Sequence, residues 1–308
     1  MRYYFAPLEG ITDGIYRQLH HQFFSGVDRY YTPFLSPTVH RCLTPKEQRE
    51  LPAADSLDYF AVPQLLTKNA DDFTWMAQQC ADRGYTEVNL NLGCPSGTVT
   101  AKGKGSGMLR APDALDRFLD DIYSAATVDI SVKTRIGFSA PDEFPSILEI
   151  FNKYPIKELT IHPRVRQVFY DGNVNMEVFL YAFENSKAPI CYNGDILSLD
   201  QIGTLPAVNA VMIGRGLIAD PGMLCGKSTD INTLEAFYSA MLDAYIQAFG
   251  SARNAMFRLK EHWRYLLTRF NGSEKLGKQL RKTTDLEEYK AITQQIFAQC
   301  QLAETRRP

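Results

Sequence analysis

Apolar and polar positions follow two different rhythms along this chain. Through about residue 220, short β-rich runs alternate with stretches of helical period. The β-rich runs are Tyr3–Pro7, Arg29–Pro33, Tyr59–Leu65, Glu87–Leu92, Asp129–Thr134, Glu158–His162, Pro189–Tyr192 and Ala210–Ile213. Amphipathic stretches lie between most of them, at Ala70–Arg83, Pro112–Ala126, Glu143–Tyr154 and Val174–Asn185. Pro112 and Pro141 stand where a proline suits the first turn of a helix. Eight strands with intervening helices predict an α/β fold, a (β/α)8 TIM barrel rather than a doubly wound sheet. The stretch from Tyr31 to Asp58 has no clear period. After about Lys227 the strand pattern stops. Helices are predicted at Asn232–Phe249, Ser251–Phe270, Ser273–Lys282 and Leu286–Gln301, broken by Gly250 and by Asn271-Gly272. The reading is a barrel over residues 1–228 followed by an all-helical domain over residues 229–308.

Composition agrees with a folded chain. Of 308 residues, 45% are apolar and 22% charged, which excludes a disordered or fibrous protein. No run approaches the ~18 apolar residues that a membrane span needs. The first residues enter a strand pattern without a secretory leader, so a cytoplasmic location is expected. Six cysteines lie scattered, without a Cys-x-x-Cys, so neither a disulfide framework nor a zinc site is expected. Net charge is −2, which excludes a polybasic chain. From Gly250 to Lys282, however, nine Lys or Arg face two Glu, a local charge of +7 that leaves −9 for the rest. That asymmetry points to an anionic partner at the C-terminal end, against the plainer reading of a solvated helix face.

Barrels of this kind collect their chemistry at the C-terminal ends of the strands. Those ends read Pro7-Leu8-Glu9-Gly10, Gln64, Asn91 to Pro95, Lys133-Thr134-Arg135, His162-Pro163-Arg164, Asn193-Gly194-Asp195 and Gly214-Arg215-Gly216. The last two are glycine turns at the positions where such barrels hold a phosphate, with Arg215 adding charge. Lys133 ends an apolar strand, which is costly unless it meets an anion. His162 reads equally as a site residue or a satisfied core histidine. Cys94 opens a loop rich in Gly and Lys, residues 96–107, that reads as a mobile lid. A thiol of ordinary pKa ~8.5 can donate a proton near neutrality. Composition leaves open whether Cys94 is acid, nucleophile or ligand.

These motifs resemble those of the tRNA-dihydrouridine synthases. The resemblance rests on Ala6-Pro7-Leu8-Glu9-Gly10-Ile11-Thr12-Asp13 with Arg17. It continues in Asn91-Leu92-Gly93-Cys94-Pro95-Ser96 and Gly105-Ser106-Gly107-Met108-Leu109. Val132-Lys133-Thr134-Arg135-Ile136-Gly137, His162-Pro163-Arg164, Tyr170-Asp171-Gly172, Asn193-Gly194-Asp195-Ile196 and Met212-Ile213-Gly214-Arg215-Gly216 then follow in order. The resemblance implies an FMN enzyme that reduces a D-loop uridine of tRNA to 5,6-dihydrouridine with NADPH. In it Cys94 is the acid that protonates C5, and Asn91 and Arg135 orient the base. Pro7, Leu8, Glu9, Gln64, Lys133 and His162 fall on the isoalloxazine side. Asn193, Gly194, Asp195, Gly214 and Arg215 fall on the ribityl and phosphate side. The chain departs from the family pattern at Thr32-Pro33-Phe34 and at Val165, and residues 42–57 have no match.

The resemblance gives tRNA as partner; no membrane, no metal and a monomeric protein are also expected. The tail agrees, since Phe257-Arg258-Leu259-Lys260-Glu261-His262-Trp263-Arg264-Tyr265 interleaves basic and aromatic residues. Arg258, Lys260 and Arg264 are the candidate tRNA contacts there, and Lys102, Lys104 and Arg110 on the cysteine loop are others. Of Phe257, Trp263 and Phe270, two are expected in the helical core. The main alternative is an FMN-dependent barrel reductase or dehydrogenase of a small molecule, as in dihydroorotate dehydrogenases. A flavin-free RNA-binding protein is a second.

Overall fold

A computed structural model describes residues 1–226 and 229–303. Nine strands form one parallel sheet: β1 (Arg2–Phe5), β2 (Arg29–Tyr31), β3 (Ala61–Val62), β4 (Gln64–Leu65), β5 (Glu87–Leu92), β6 (Asp129–Arg135), β7 (Leu159–His162), β8 (Ile190–Tyr192) and β9 (Ala210–Ile213). Their order is β3-β2-β1-β9-β8-β7-β6-β5-β4. The two ends of that order are one extended run split at Pro63, which has no N–H for a ladder. Its carbonyl still accepts from Asn89 N–H at 2.8 Å. The ring therefore closes as a barrel of eight extended segments, as the alternating pattern predicts.

The chain divides into two compact units. One comprises Met1–Pro7, Asp28–Gly194 and Leu205–Met212, and the other Leu8–Val27, Asp195–Thr204 and Ile213–Pro308. The expected division after residue 228 falls at residues 227–228, outside the described residues. In the barrel unit, strands alternate apolar side chains with polar ones. Val88, Leu90, Leu92, Ile130, Val132, Leu159 and Ile161 are buried, while Asn89, Asn91, Ser131 and Gln64 bond to one another. Helices Ala70–Ala81, Pro112–Ser124, Phe144–Phe151 and Met176–Asn185 follow strands as expected. Phe179, for example, meets Tyr192 edge-on at 4.8 Å. Ion pairs occupy the strand starts: Arg29 meets Glu87 at 2.8 Å, and Arg2 meets Glu158 at 3.1 Å.

The irregular stretch contains a helix that the periodicity missed, Pro45–Glu50. Thr44 and Glu47 form a reciprocal capping box around Pro45. Glu47 also accepts from Ser36 N–H at 3.1 Å, tying the segment down.

The second unit is built on Ile231–Phe249, Ala252–Leu266, Glu274–Lys282 and Leu286–Gln299. Gly250 stops the first of these at φ 60°, and Ser251 caps the next, so two adjacent residues make the helical hairpin. Strand structure does not end at Lys227, however. Phe270–Asn271 and Gln301–Leu302 pair antiparallel. Trp263 and Phe270 are buried and Phe257 is 40% exposed, so two of the three tail aromatics are core. The Trp263 ring lies 4.9 Å from Tyr238 and 5.3 Å from Phe297, and its N–H donates to Tyr289 OH at 2.9 Å. Trp263→Ala is therefore expected to cost about 3–5 kcal/mol. A denaturant midpoint equal to wild type would show that this ring does not organise the unit.

Candidate active site

Strand register assembles the barrel residues. Gln64 is paired with Asn89, Asn91 with Lys133, Arg135 with His162, and Thr160 with Cys191. Because side chains alternate along a strand, residues two apart share a face. Gln64, Asn89 and Asn91 are buried polar side chains, and each is satisfied by the next. Asn91 Nδ2 donates to Gln64 Oε1 at 2.7 Å, and Gln64 Nε2 donates to Asn89 Oδ1 at 2.8 Å. Asn89 Nδ2 then donates to Ser131 Oγ at 2.9 Å. Thr32, from one of the departing motifs, accepts from Gln64 N–H at 3.0 Å and so supports the same network.

The remaining acceptor of Asn91 sets the cysteine loop. Its Oδ1 receives the N–H groups of Gly93 and Cys94, at 3.1 and 2.9 Å. Ser106 returns to the Cys94 carbonyl with both its hydroxyl and its N–H, at 2.7 and 3.2 Å. Gly105, at φ +57°, would place a Cβ 3.0 Å from both Cys94 Cβ and Cys94 O. Gly107 would place one 2.8 Å from Thr100 O. The segment expected to be a loosely packed lid is thus a close wrap with Gly105 to Leu109 buried. At Gly105 and Gly107 a glycine stands because a β-carbon does not fit. Cys94 is half-buried and in no disulfide. Lys102 and Arg110 are exposed and Lys104 half-buried, with Arg110 over the Phe138 ring at 3.7 Å.

Arg135 is buried and spends its donors on the loop framework. Nε reaches Gly93 O and Nη1 reaches Val165 O, both at 3.0 Å. The Val165 departure leaves that main-chain acceptor in place. Sequence reading missed Arg166, whose Nε donates to Pro95 O at 3.1 Å and Nη2 to Thr100 Oγ1 at 3.2 Å. His162 is buried, with Arg164 Nη1 3.1 Å from its Nε2. A guanidinium has only hydrogens to give, so that ring nitrogen is the acceptor. Lys133 is half-buried, and among the described residues its ammonium has no hydrogen-bond or ion-pair partner. Burial, with Arg135 adding like charge, lowers its pKa to about 8. A half-buried cation in that condition fits an anionic ligand.

Of the two glycine turns, Asn193-Gly194 belongs to the barrel unit. Asn193 Nδ2 donates to Met212 O at 2.8 Å, and a Cβ on Gly194 would come within 2.9 Å of Tyr192 OH. Asp195 and Gly214-Arg215 belong to the second unit. Asp195 holds φ 33°, and Arg215 meets its carboxylate at 2.6 Å. A Cβ on Gly216 would strike the Ile196 carbonyl. The charge expected for a phosphate is thus already engaged by Asp195.

Leu8 and Glu9 also lie in the second unit. Leu8 N–H donates to Thr12 Oγ1 at 2.8 Å and Glu9 is exposed, whereas Pro7, in the barrel unit, is half-buried. The rest of that opening motif docks on the tail. Tyr245 OH donates to Asp13 at 2.7 Å, and His262 Nε2 lies 2.9 Å from Ile11 O. Arg258 donates to Gly10 O and lies 4.0 Å from Asp13. This corrects the expectation for Arg258, whose guanidinium holds the chain's own opening motif. Lys260 needs the same correction. It is buried, and its ammonium donates to the carbonyls of Thr283 and Arg281, capping the end of Glu274–Lys282. Arg264 is exposed beside Glu261. Lys275, Lys278 and Lys282 are also exposed, at i, i+3 and i+7 of one helix. The local charge had signalled this face without identifying its residues.

The dihydrouridine synthase family model matches residues 4–304. The chain belongs to the dihydrouridine synthase family. It is 30% identical to tRNA-dihydrouridine synthase B of Proteus vulgaris over 221 residues, covering 70% of this chain and 67% of that one. It is 26% identical to a probable tRNA-dihydrouridine synthase 1 of Synechocystis over 316 residues, covering 96% and 86%. Among solved structures, the old yellow enzyme homologue of Zymomonas mobilis superposes with TM-score 0.55 at 12% identity, covering 75% of this chain and 91% of that one. Morphinone reductase superposes with TM-score 0.51 at 10% identity, covering 72% and 85%. Those two likenesses concern the barrel fold.

Lys133 gives a pH test. A folded-state pKa near 8, against 10.5 for an ordinary lysine, means that the unfolded chain holds the proton more tightly. Its charge therefore costs stability below about pH 8, and that cost disappears as pH rises toward 10.5. Stripped of bound anions, wild type is expected to gain on Lys133→Met between pH 8 and 10.5 in urea melts. Parallel pH curves for the two proteins would contradict this.

Proposed function

We propose that this member of the family reduces the C5–C6 double bond of a D-loop uridine in tRNA, with FMN as cofactor and NADPH as reductant. The observation that carries the reading is the strand register setting Asn91, which positions the Cys94 loop, beside Lys133. An acid and an anion-seeking cation thereby rise from neighbouring strands. Pro7, Gln64, Lys133, His162, Asn193 and Gly194 of the barrel unit would hold the flavin. Leu8, Glu9, Asp195, Gly214 and Arg215 are assigned to it by the family resemblance. The chemistry that FMN would supply there, once reduced, is a hydride for C6 of the uracil.

Negative charge then develops at C5 and the C4 oxygen, and the Cys94 thiol supplies the proton to C5. Asn91 and Arg135 act by fixing the backbone that leads into that thiol. Lys133 stabilises negative charge on the cofactor side, and binding an anion restores its own affinity for a proton. With Nε2 accepting from Arg164, the His162 ring carries its proton on Nδ1. Lys102, Lys104 and Arg110 are proposed to meet the RNA backbone beside the site. The helical tail, residues 229–308, supplies tRNA affinity through Arg264, Lys275, Lys278 and Lys282. Among the described residues no helix is long and apolar enough to cross a membrane.

Two experiments test this. Cys94→Ala is expected to bind FMN and accept electrons from NADPH as wild type does. Its dihydrouridine formation should fall about 10²–10⁴-fold, the usual loss on removing a general acid. Wild-type turnover on tRNA by this variant would remove Cys94 from the reaction. The second replaces Lys275, Lys278 and Lys282 together with Ala, which should weaken tRNA binding and raise its KM. The salt dependence of log K should flatten by about 0.7–0.9 for each phosphate that is no longer neutralised. Equal affinity and equal salt slope in the two proteins would make this face merely solvated.

A further inference from the structure

The loop after β7 leaves three consecutive large apolar side chains in the open. Val168, Phe169 and Tyr170 are 41%, 41% and 53% exposed. Single exposed apolar residues are ordinary, but a run of three at the rim of a site is not packing. The turn is also strained. Phe169 holds φ 49° and ψ −98°, a region that a β-carbon opposes. Strain of this kind persists only where the surroundings over-determine it, and functional sites are where it collects.

The surroundings do so here. Arg166 N–H donates to Gly137 O at 3.0 Å and Gln167 N–H to Phe138 O at 3.2 Å. Phe169 N–H returns to Arg166 O at 3.1 Å and Asp171 N–H to Val168 O at 2.7 Å. Arg164 holds the far side through Gly172 O at 2.5 Å. The turn is braced on both sides, and what it exposes is an aromatic ring.

That ring is tied to the chemistry by Arg166. Its guanidinium carbon lies 4.9 Å from the Phe169 ring centre and 5.3 Å from that of Phe138. The same guanidinium hydrogen-bonds the Cys94 loop at Pro95 and Thr100. Arg110 lies over the other ring, Phe138. Aromatic and cationic groups thus alternate beside the thiol loop, which suits stacked bases joined by phosphates.

We propose that Phe169 is a wedge that enters the base stack of the tRNA as the target uridine leaves it, and stacks on the base left behind. The inference rests on the reading of the chain as a uridine reductase. Hydride and proton arrive on opposite faces of the C5–C6 bond, so the uracil must leave its stack before it can react. Extrusion uncovers the face of a neighbouring base, and a phenyl ring covers that face whatever the base is. Tyr170, with its ring 6.0 Å from His162, stands nearer the flavin-side residues. Phe169 is instead the ring beside Arg166, and through it beside the Cys94 loop.

The test compares Phe169→Ala, Phe169→Gly and Phe169→Tyr, the glycine variant being compatible with the positive φ. Each is assayed for kcat/KM on tRNA and for reduction of its flavin by NADPH. Each is also assayed for the fluorescence rise of 2-aminopurine placed beside the target uridine. Ala and Gly are expected to lose about tenfold or more in kcat/KM. They should lose the fluorescence rise as well, with flavin reduction unchanged, while Tyr retains all three. Ala and Gly variants with wild-type turnover and a wild-type fluorescence rise would overturn the wedge alone. So would a Tyr variant as impaired as Ala. A wild-type protein that leaves tRNA uridine unreduced would overturn the wedge together with the reading beneath it.

Discussion

The site depends on how the carboxamide of Asn91 divides its hydrogen bonds. Its oxygen accepts from the main chain of Gly93 and Cys94, and its NH2 donates into the barrel toward Gln64. One planar group therefore couples the loop carrying the thiol to the strand interior. The donations continue one way, from Gln64 to Asn89 and from Asn89 to Ser131, which fixes each amide's orientation. An aspartate at position 91 would keep the acceptor for the loop and lose the donor to Gln64. It would also bring an uncompensated charge into a buried layer, where satisfied neutral groups are far less costly.

Electrostatics in the barrel follow from that choice. The interior layer around Asn91 is neutral and internally satisfied, so it offers Lys133 no counter-ion. Arg135, the nearest cation in sequence on the same strand face, raises the cost of the lysine's charge further. The arrangement leaves one ammonium whose charge is relieved only by something that arrives. At the strand starts the opposite rule holds, because Arg29 and Glu87 neutralise each other within the chain. Polar residues at the two ends of one barrel thus do different work. One set closes the fold, and the other stays available for a ligand.

Much of this was legible in the sequence, for identifiable reasons. Strands were readable because alternation and apolar runs report burial directly, and Pro63 interrupts its strand without ending it. The helix Pro45–Glu50 escaped periodicity because it is too short to show a period. Its signature was local instead, Thr44 and Glu47 around a proline. The strand pair Phe270–Asn271 and Gln301–Leu302 has two residues on each side, below the length at which alternation carries information. Lys260 and Arg258 misled because side-chain type gives charge but not direction. Both lie in a basic-aromatic helix, yet one caps a neighbouring helix and the other grips Gly10. Arg166 was invisible for the converse reason, since its importance lies in carbonyl and hydroxyl partners more than sixty residues away.

The loop of residues 96–107 shows why composition is a poor guide to packing. Glycine and lysine together suggest slack, but a glycine also permits an approach that a β-carbon forbids. At Gly105 and Gly107 the forbidden positions are occupied by Cys94 and Thr100, so these glycines permit closure rather than freedom. With the inner side of the loop filled by backbone, Lys102 has only the outer side left and is exposed. A single short segment thereby carries an inward-anchored thiol and an outward cation. A base attached to a charged backbone presents the matching pair of demands, a proton at a carbon that must be reached and a phosphate that must stay in water.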